Sequence, residues 1–347
     1  MTTRVVISGV AGLVFLATYA PAACLFLIFV YAQGILLYVT LRRLPRGTRL
    51  RKYAPYLILL NLFFVDFSQA ILGYDIILIG VSFSVVRIFI AIKQFVNSRK
   101  KLVFEYYIWS FMGLFYLPTL FVGPIFSPYK LWMNSIKGPA QRDSLPREFR
   151  IIAFGLIMAV IASPFFTKIL QRSPEIIFNV INKLAPSMLA MSEAHFDIWF
   201  YPLKLLALFL ALFTAFWGQS LIAETSSRLY GFKVPANFDR PWLATDIRDF
   251  WRRWHISMAE FVMNYIFIPL NLAGVNSRVS IFLAFIFMGL WHNTSLGYFL
   301  WGVGHGTLLA LWPQQPEQAT KKHVILGRVA TFVSVIFLSY VGNYAFN

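Results

Sequence analysis

Residues 278–312 read RVSIFLAFIFMGLWHNTSLGYFLWGVGHGTLLALW. Two apolar runs, 278–292 and 295–312, flank a short polar turn, Asn293-Thr294-Ser295. About 20 mostly apolar residues are needed to cross about 30 Å of hydrocarbon as a helix, so each run is close to a membrane span. Eight further runs fit the same pattern, at 5–20, 22–41, 56–72, 74–95, 105–127, 151–170, 198–222 and 324–345. The chain is therefore predicted to be all-α, a polytopic membrane helix bundle of about eight to ten spans. Pro21, Pro118, Pro124 and Pro164 interrupt several runs. Lipid cannot satisfy the backbone groups that such breaks release, so re-entrant or interfacial pieces are expected beside the straight helices. The run at 5–20 follows Arg4 and reads as a retained first helix, with no cleavage site ahead of a soluble domain.

Composition agrees. Of 347 residues, 59% are hydrophobic and 13% charged, against about 45–50% and about 25% in soluble chains. This excludes an ordinary soluble domain, a disordered chain and a disulfide scaffold, and the single Cys24 has no internal partner. The net charge of +17 is read as basic loops facing anionic membrane lipids, not as a nucleic-acid surface. One block runs from Arg42 to Lys52; another comprises Arg87, Lys93, Arg99, Lys100 and Lys101; others lie at 130–150 and 228–253. These blocks are assigned to cytoplasmic loops that fix topology. No internal repeat or independent soluble domain is evident. The chain reads as one membrane domain, 1–347, with N-terminal helices in 1–127 and a core in 128–347.

There are five histidines, and three of them, His255, His292 and His305, sit in apolar, aromatic surroundings. An ionisable group at membrane depth is a functional hypothesis by default, and imidazole, with an unperturbed pKa of about 6.5, is the commonest general acid or base. His292 ends an almost uncharged run and opens into the polar turn, where a cavity-lining group belongs. For His305 a helix-to-helix hydrogen-bonding role is an equal alternative. His195 and His323 read as loop or interface residues. The stretch 246–254 alternates acid, base and aromatic residues, which predicts an interfacial amphipathic helix with Trp at headgroup level. Asp66 and Asp75 read as helix-pairing groups or a proton path. No zinc motif, paired cysteine ligands, nucleophile elbow or dinucleotide fingerprint occurs. His255 and Glu260 are five residues apart, about 140° around a helix, and would not share a face.

Three segments resemble the membrane-bound O-acyltransferase superfamily, and within it the bacterial branch of alginate O-acetylation and teichoic acid D-alanylation membrane proteins. The first is Tyr116-Leu-Pro-Thr-Leu-Phe-Val-Gly123-Pro124-Ile125. The second runs from Gly231-Phe-Lys-Val-Pro-Ala-Asn237-Phe238 through Phe250-Trp251-Arg-Arg-Trp254-His255-Ile-Ser257 to Tyr265-Ile-Phe-Ile-Pro269-Leu270. The third is Met288-Gly289-Leu290-Trp291-His292 with Leu300-Trp301-Gly302 and His305-Gly306. Two departures are plain: Asn293 stands where the branch usually has Gly, and Met263-Asn264 where it usually has Arg-Asp.

The resemblance implies a bundle with a central tunnel, with His292 as the membrane-embedded catalytic histidine and His255 as the second family histidine. His305, Trp251, Trp254, Trp291 and Asn293 would line or support the tunnel, and Arg252 and Arg253 would meet a donor phosphate or lipid headgroups. It implies no bound cofactor and no metal. An acyl donor such as acetyl-CoA or an acyl carrier protein thioester serves as co-substrate, and a glycan or other hydroxyl compound as acceptor. A periplasmic or secreted acyltransferase that completes the transfer is a partner by analogy only. The expected location is the cell inner (cytoplasmic) membrane, as a multi-pass protein. Transfer of an acetyl group to an extracytoplasmic polysaccharide is the first expectation. D-alanyl transfer, or acylation of a lipid or secondary metabolite, is the second. A proton-coupled transporter or flippase with a histidine relay is a rival of another class, against which the lack of an inverted repeat speaks. A non-enzymatic scaffold presenting a partner enzyme is another.

Overall fold

The computed structural model describes residues 2–63, 78–98, 104–128, 144–168, 193–313 and 320–345. Asp66, Asp75 and parts of the 56–72 and 74–95 runs lie outside them. The chain is all-α and polytopic, with no β-strand among the described residues. Among the described residues, five helical stretches are long and apolar enough to cross a membrane: Pro21–Leu41, Gly80–Asn97, Leu145–Lys168, Tyr201–Leu229 and Lys321–Asn343. Four shorter apolar helices accompany them, at Val6–Tyr19, Ile256–Leu272, Ser277–His292 and Leu296–Leu311. The chain folds as two compact units that exchange segments along the sequence, the first from Met1–Ile152, Ser220–Asn237 and His255–Phe261, the second from the remainder.

In the first unit, α1 (Thr2–Tyr19), α2 (Pro21–Leu41), α3 (Leu78–Asn97) and α4 (Phe104–Leu114) pack together. α2 turns Leu25, Phe29 and Leu36 outward, as a lipid-facing helix does. α3 differs: Val85, Val86, Ile88, Phe89, Ala91 and Ile92 are all buried. A helix buried on nearly every side is a core helix, and α3 is that helix in this unit. Arg51 caps its C-terminal end, donating from Nε and Nη2 to the Val96 carbonyl at 3.1 and 2.7 Å. The assignment of Arg87 and Lys93 to a loop is corrected here, because both lie on α3. Lys93 donates to the Lys52 carbonyl and sits 4.3 Å from the Tyr56 ring centroid. The 105–127 run is likewise not one helix. α4 ends at Leu114, ahead of Pro118 and Pro124, each of which lacks a donor and disfavours helix before it. The chain then makes a 3₁₀ turn, Leu117–Thr119, and an irregular segment that packs Tyr116 and Phe126 against Trp109, Phe232 and Val234.

α5 (Leu145–Leu156), whose residues up to Ile152 belong to the first unit, continues in the second as a π-helical turn, Ile157–Ala162. α6 (Glu193–Leu229) contributes Phe209, Phe213 and Trp217, four residues apart and so on one face. Phe213 and Trp217 stack at 5.3 Å, and Phe209 stacks on Trp254 at 5.7 Å. α7 (Ile247–Arg253) starts with an Asp246 cap that accepts the Asp249 N–H at 2.8 Å. It is the expected amphipathic helix, with its apolar face turned into the protein. Ile247, Phe250 and Trp251 are buried, packed towards α10 (Leu296–Leu311) and α11 (Lys321–Tyr340). Its arginines are engaged: Arg248 donates to the carbonyls of Leu309 and Trp312, where a cation suits the C-terminal end of α10. α8 (Ile256–Val262) follows, its first residues in the first unit.

α9 (Ser277–His292) and α10 form the tightest helix pair of the second unit. A Cβ on Gly289 would lie 2.3 Å from the Tyr298 carbonyl oxygen, and one on Gly302 would lie 2.6 Å from that of Phe285. Only glycine permits this approach, which brings His292, Tyr298, Trp301 and His305 together.

Candidate active site

His255 lies in the first unit, at the joint between α7 and α8. Its φ is 43°, a left-handed conformation uncommon outside glycine, though histidine is among the residues that tolerate it. Such a backbone costs about 1–3 kcal/mol and persists where the surroundings over-determine it. They do. The His255 carbonyl accepts the Met258 and Ala259 N–H groups at 2.9 and 3.0 Å, and the Ile256 N–H donates to the Asn237 carbonyl at 3.0 Å.

The imidazole is buried and faces Asn237, with Nδ1 3.4 Å from Oδ1. Asn237 is held on every side. Its N–H donates to Glu224 Oε1 at 2.9 Å and its Nδ2 to Ser220 Oγ at 3.1 Å, while its Oδ1 accepts the Ser257 hydroxyl at 2.6 Å. An acceptor opposite Nδ1 places the ring proton there, which makes Nε2 the accepting nitrogen of the neutral ring. Phe83 lies against the ring, centroids 6.0 Å apart.

His292 and His305 lie in the second unit. His292 is the last residue of α9 and, taken as a whole residue, is exposed. It stacks on Tyr298 at 5.3 Å and meets Trp291 at 4.7 Å and Trp301 at 5.5 Å. Among the described residues no hydrogen bond is made to either of its nitrogens. Tyr298 is fixed from behind, its hydroxyl donating to Asn343 Oδ1 at 2.7 Å. Asn293 Oδ1 accepts the Ser295 N–H at 2.8 Å, and Ser295 Oγ accepts the Tyr298 N–H at 3.4 Å. The residue that departs from the branch pattern thus closes the turn behind His292 with its own side chain, in an extended backbone with φ −169°.

His305 is sealed, with centroids 4.6 Å from Trp301 and 5.1 Å from Trp251. Among the described residues its Nδ1 and the Trp251 Nε1 have no hydrogen-bond partner. Trp301 is therefore the shared wall of His292 and His305. Trp254 is buried in the stack with Phe250 and Phe209. The two candidate phosphate-binding arginines separate: Arg253 is committed to Asp249 at 3.0 Å and Asp239 at 3.8 Å, whereas Arg252 is exposed. His323 pairs with Thr320 at the start of α11, 2.7 Å from Nδ1 to Oγ1, and the His195 side chain lies outside the described residues. Asn237, Ser257 and Glu224 were not singled out from the sequence. A polar residue in an otherwise apolar segment was the signal available for each.

The membrane-bound O-acyltransferase family profile matches residues 22–346. The teichoic acid D-alanyltransferase of Streptococcus thermophilus is 25% identical over 280 residues, covering 74% of this chain and 62% of that protein. The peptidoglycan O-acetyltransferase of Helicobacter pylori is 30% identical over 125 residues, 35% of this chain and 24% of that protein. A probable alginate O-acetylase of Pseudomonas putida is 36% identical over 118 residues, 33% of this chain and 24% of that protein. The chain spans less than two thirds of the length of each of these relatives.

Proposed function

The chain belongs to the membrane-bound O-acyltransferase family, and from that premise we propose that it transfers an acyl group from a thioester to a hydroxyl, with His292 as general base. The observation that carries this reading is the imidazole at the end of α9, held by ring contacts and without a hydrogen bond to either nitrogen among the described residues. Such a ring can take a proton without first breaking a bond.

The acceptor oxygen attacks the thioester carbonyl carbon as His292 takes the hydroxyl proton. The tetrahedral intermediate collapses with cleavage of the C–S bond, and the imidazolium returns the proton to the leaving thiolate. The products are an ester and a free thiol. Acid–base help of this kind contributes about 10²–10⁴-fold, and positioning supplies the rest. His255, set by Asn237 with Nε2 as its accepting nitrogen, is given the separate task of orienting the acyl donor. Trp301 and Tyr298 shape the access to His292.

The substrates follow the names of the relatives. Acetyl transfer from acetyl-CoA or an acyl carrier protein to an extracytoplasmic polysaccharide is the first reading, with the protein in the inner (cytoplasmic) membrane. D-alanyl transfer is the second, favoured by the 74% of the chain that aligns with the D-alanyltransferase. Mass spectrometry of base-labile groups on cell-surface glycans, with and without the protein, separates the two by the mass transferred. His292→Ala should remove those groups while the detergent-solubilised protein keeps its elution profile. Wild-type acylation by that variant overturns the assignment.

A further inference from the structure

α3 carries a guanidinium with no carboxylate beside it among the described residues. Arg87 is fully buried, midway along a helix long and apolar enough to cross a membrane. A charge in such a place is expensive and marks a use. Its Nη2 donates to the carbonyls of Thr119 at 2.9 Å and Pro124 at 3.1 Å, and its Cζ lies 4.4 Å from the centre of the Phe126 ring. All three partners lie between α4 and the end of the irregular segment, Thr119 closing the 3₁₀ turn and Pro124 and Phe126 following it. Pro118 and Pro124 break the helical hydrogen-bond ladder there, and carbonyls released in a membrane-embedded chain need a donor from within the protein. Arg87 is that donor, and the face of Phe126 offsets part of its charge.

The same segment reaches His255. It turns at Gly123, with φ +149°, where a Cβ would come within 3.0 Å of the Ala223 Cβ. The next residue but one, Ile125, donates its N–H to Ser257 Oγ at 2.8 Å. Ser257 donates to Asn237 Oδ1 at 2.6 Å, and that oxygen faces His255 Nδ1 at 3.4 Å. Phe83, four residues before Arg87 and so on the same side of α3, meets the other part of the imidazole.

We propose that Arg87 is a positioning residue for His255: it clamps the 119–126 turn so that Ile125, Ser257 and Asn237 hold the imidazole at a fixed angle against Phe83. The proposal rests on the role given to His255 above. One planar group spans two carbonyls and an aromatic face, which the compact ammonium of lysine reproduces only in part.

The test uses the full chain in detergent and reads carbethoxylation of each histidine by diethyl pyrocarbonate, followed by peptide mass spectrometry. This measures the His255 environment without a substrate. Arg87→Met is expected to raise modification of His255 several-fold, Ser257→Ala to do the same, and the double variant to go no further than the larger single one. Arg87→Lys should restore part of the protection. His305, sealed in the second unit, serves as the control for general loosening and should stay protected, while exposed His323 should react in every variant. Unchanged protection of His255 in Arg87→Met overturns the proposal. So does a double variant whose effect is the product of the two single ones, and so does a parallel loss of protection at His305, which would make Arg87 a support of the whole fold. Wild-type acyl transfer by His255→Ala would remove the role of His255 instead, and would leave the clamp, as read by modification, in place.

Discussion

The two histidine regions are built by opposite means. Around His255 the contacts are mainly hydrogen bonds: one nitrogen faces Asn237, and Asn237 is bonded to Ser220, Glu224 and Ser257. Around His292 they are rings, those of Trp291, Tyr298 and Trp301. Hydrogen bonds choose a tautomer and a direction, whereas stacking chooses a plane and leaves the protons undecided. The first arrangement suits a group that must point one way throughout a reaction. The second suits a group that must gain and lose a proton in each cycle.

The largest effect that probes this difference comes from glutamine replacements. His292→Gln keeps a polar group but cannot accept a proton at neutral pH, so acyl transfer should fall about 10²–10⁴-fold. His255→Gln can still bond Asn237 and should retain a measurable part of the activity. Equal loss in both, by transfer assays on purified protein, would erase the distinction. Next in size is the glycine approach beneath the aromatic cluster. Gly302→Val forces a side chain against the Phe285 carbonyl, and overpacking of this kind costs about 1–3 kcal/mol, occasionally more. Thermal unfolding in detergent should show the drop, with Gly123→Val as its counterpart in the first unit. Asn237→Ala removes several partners at once, taking from the buried Ser257 hydroxyl its acceptor and from the Ser220 hydroxyl its donor, worth about 1–3 kcal/mol. Its midpoint should fall while carbethoxylation of His305 stays unchanged. The smallest change is Ser295→Ala, which loses the α10 cap at about 1 kcal/mol. It should lower stability slightly and leave the His255 environment untouched.

Much of the helical plan was legible, because crossing hydrocarbon demands a length and an apolarity that a sequence cannot conceal. The turn at 293–295 was equally readable: Asn293 and Ser295 are the residue types that bond their own backbone. Arg87 was misread because it stands near Lys93 and the basic residues 99–101, and proximity in sequence suggested a loop. What distinguishes it is the set of carbonyls opposite, which belong to residues more than thirty positions away. Asn237 was visible as part of a motif, but its four bonds reach Ser220, Glu224, Ile256 and Ser257, and no local pattern announces them. The amphipathic character of 246–254 was legible, but the protein neighbours of its apolar face were not. Apolar faces buried in protein and apolar faces lying in a headgroup layer share one periodicity.

The backbone at position 255 carries a last implication. A chain that must pass through φ 43° tolerates glycine, asparagine, aspartate and histidine far better than branched or bulky residues. The alphabet open to natural variation there is thus narrowed by geometry before chemistry is consulted. Within that short alphabet histidine alone brings an aromatic base, and asparagine is the neutral substitute least offensive to the turn. Drift at this site should therefore be abrupt, a swap between a few letters, where the neighbouring helix positions change by degrees.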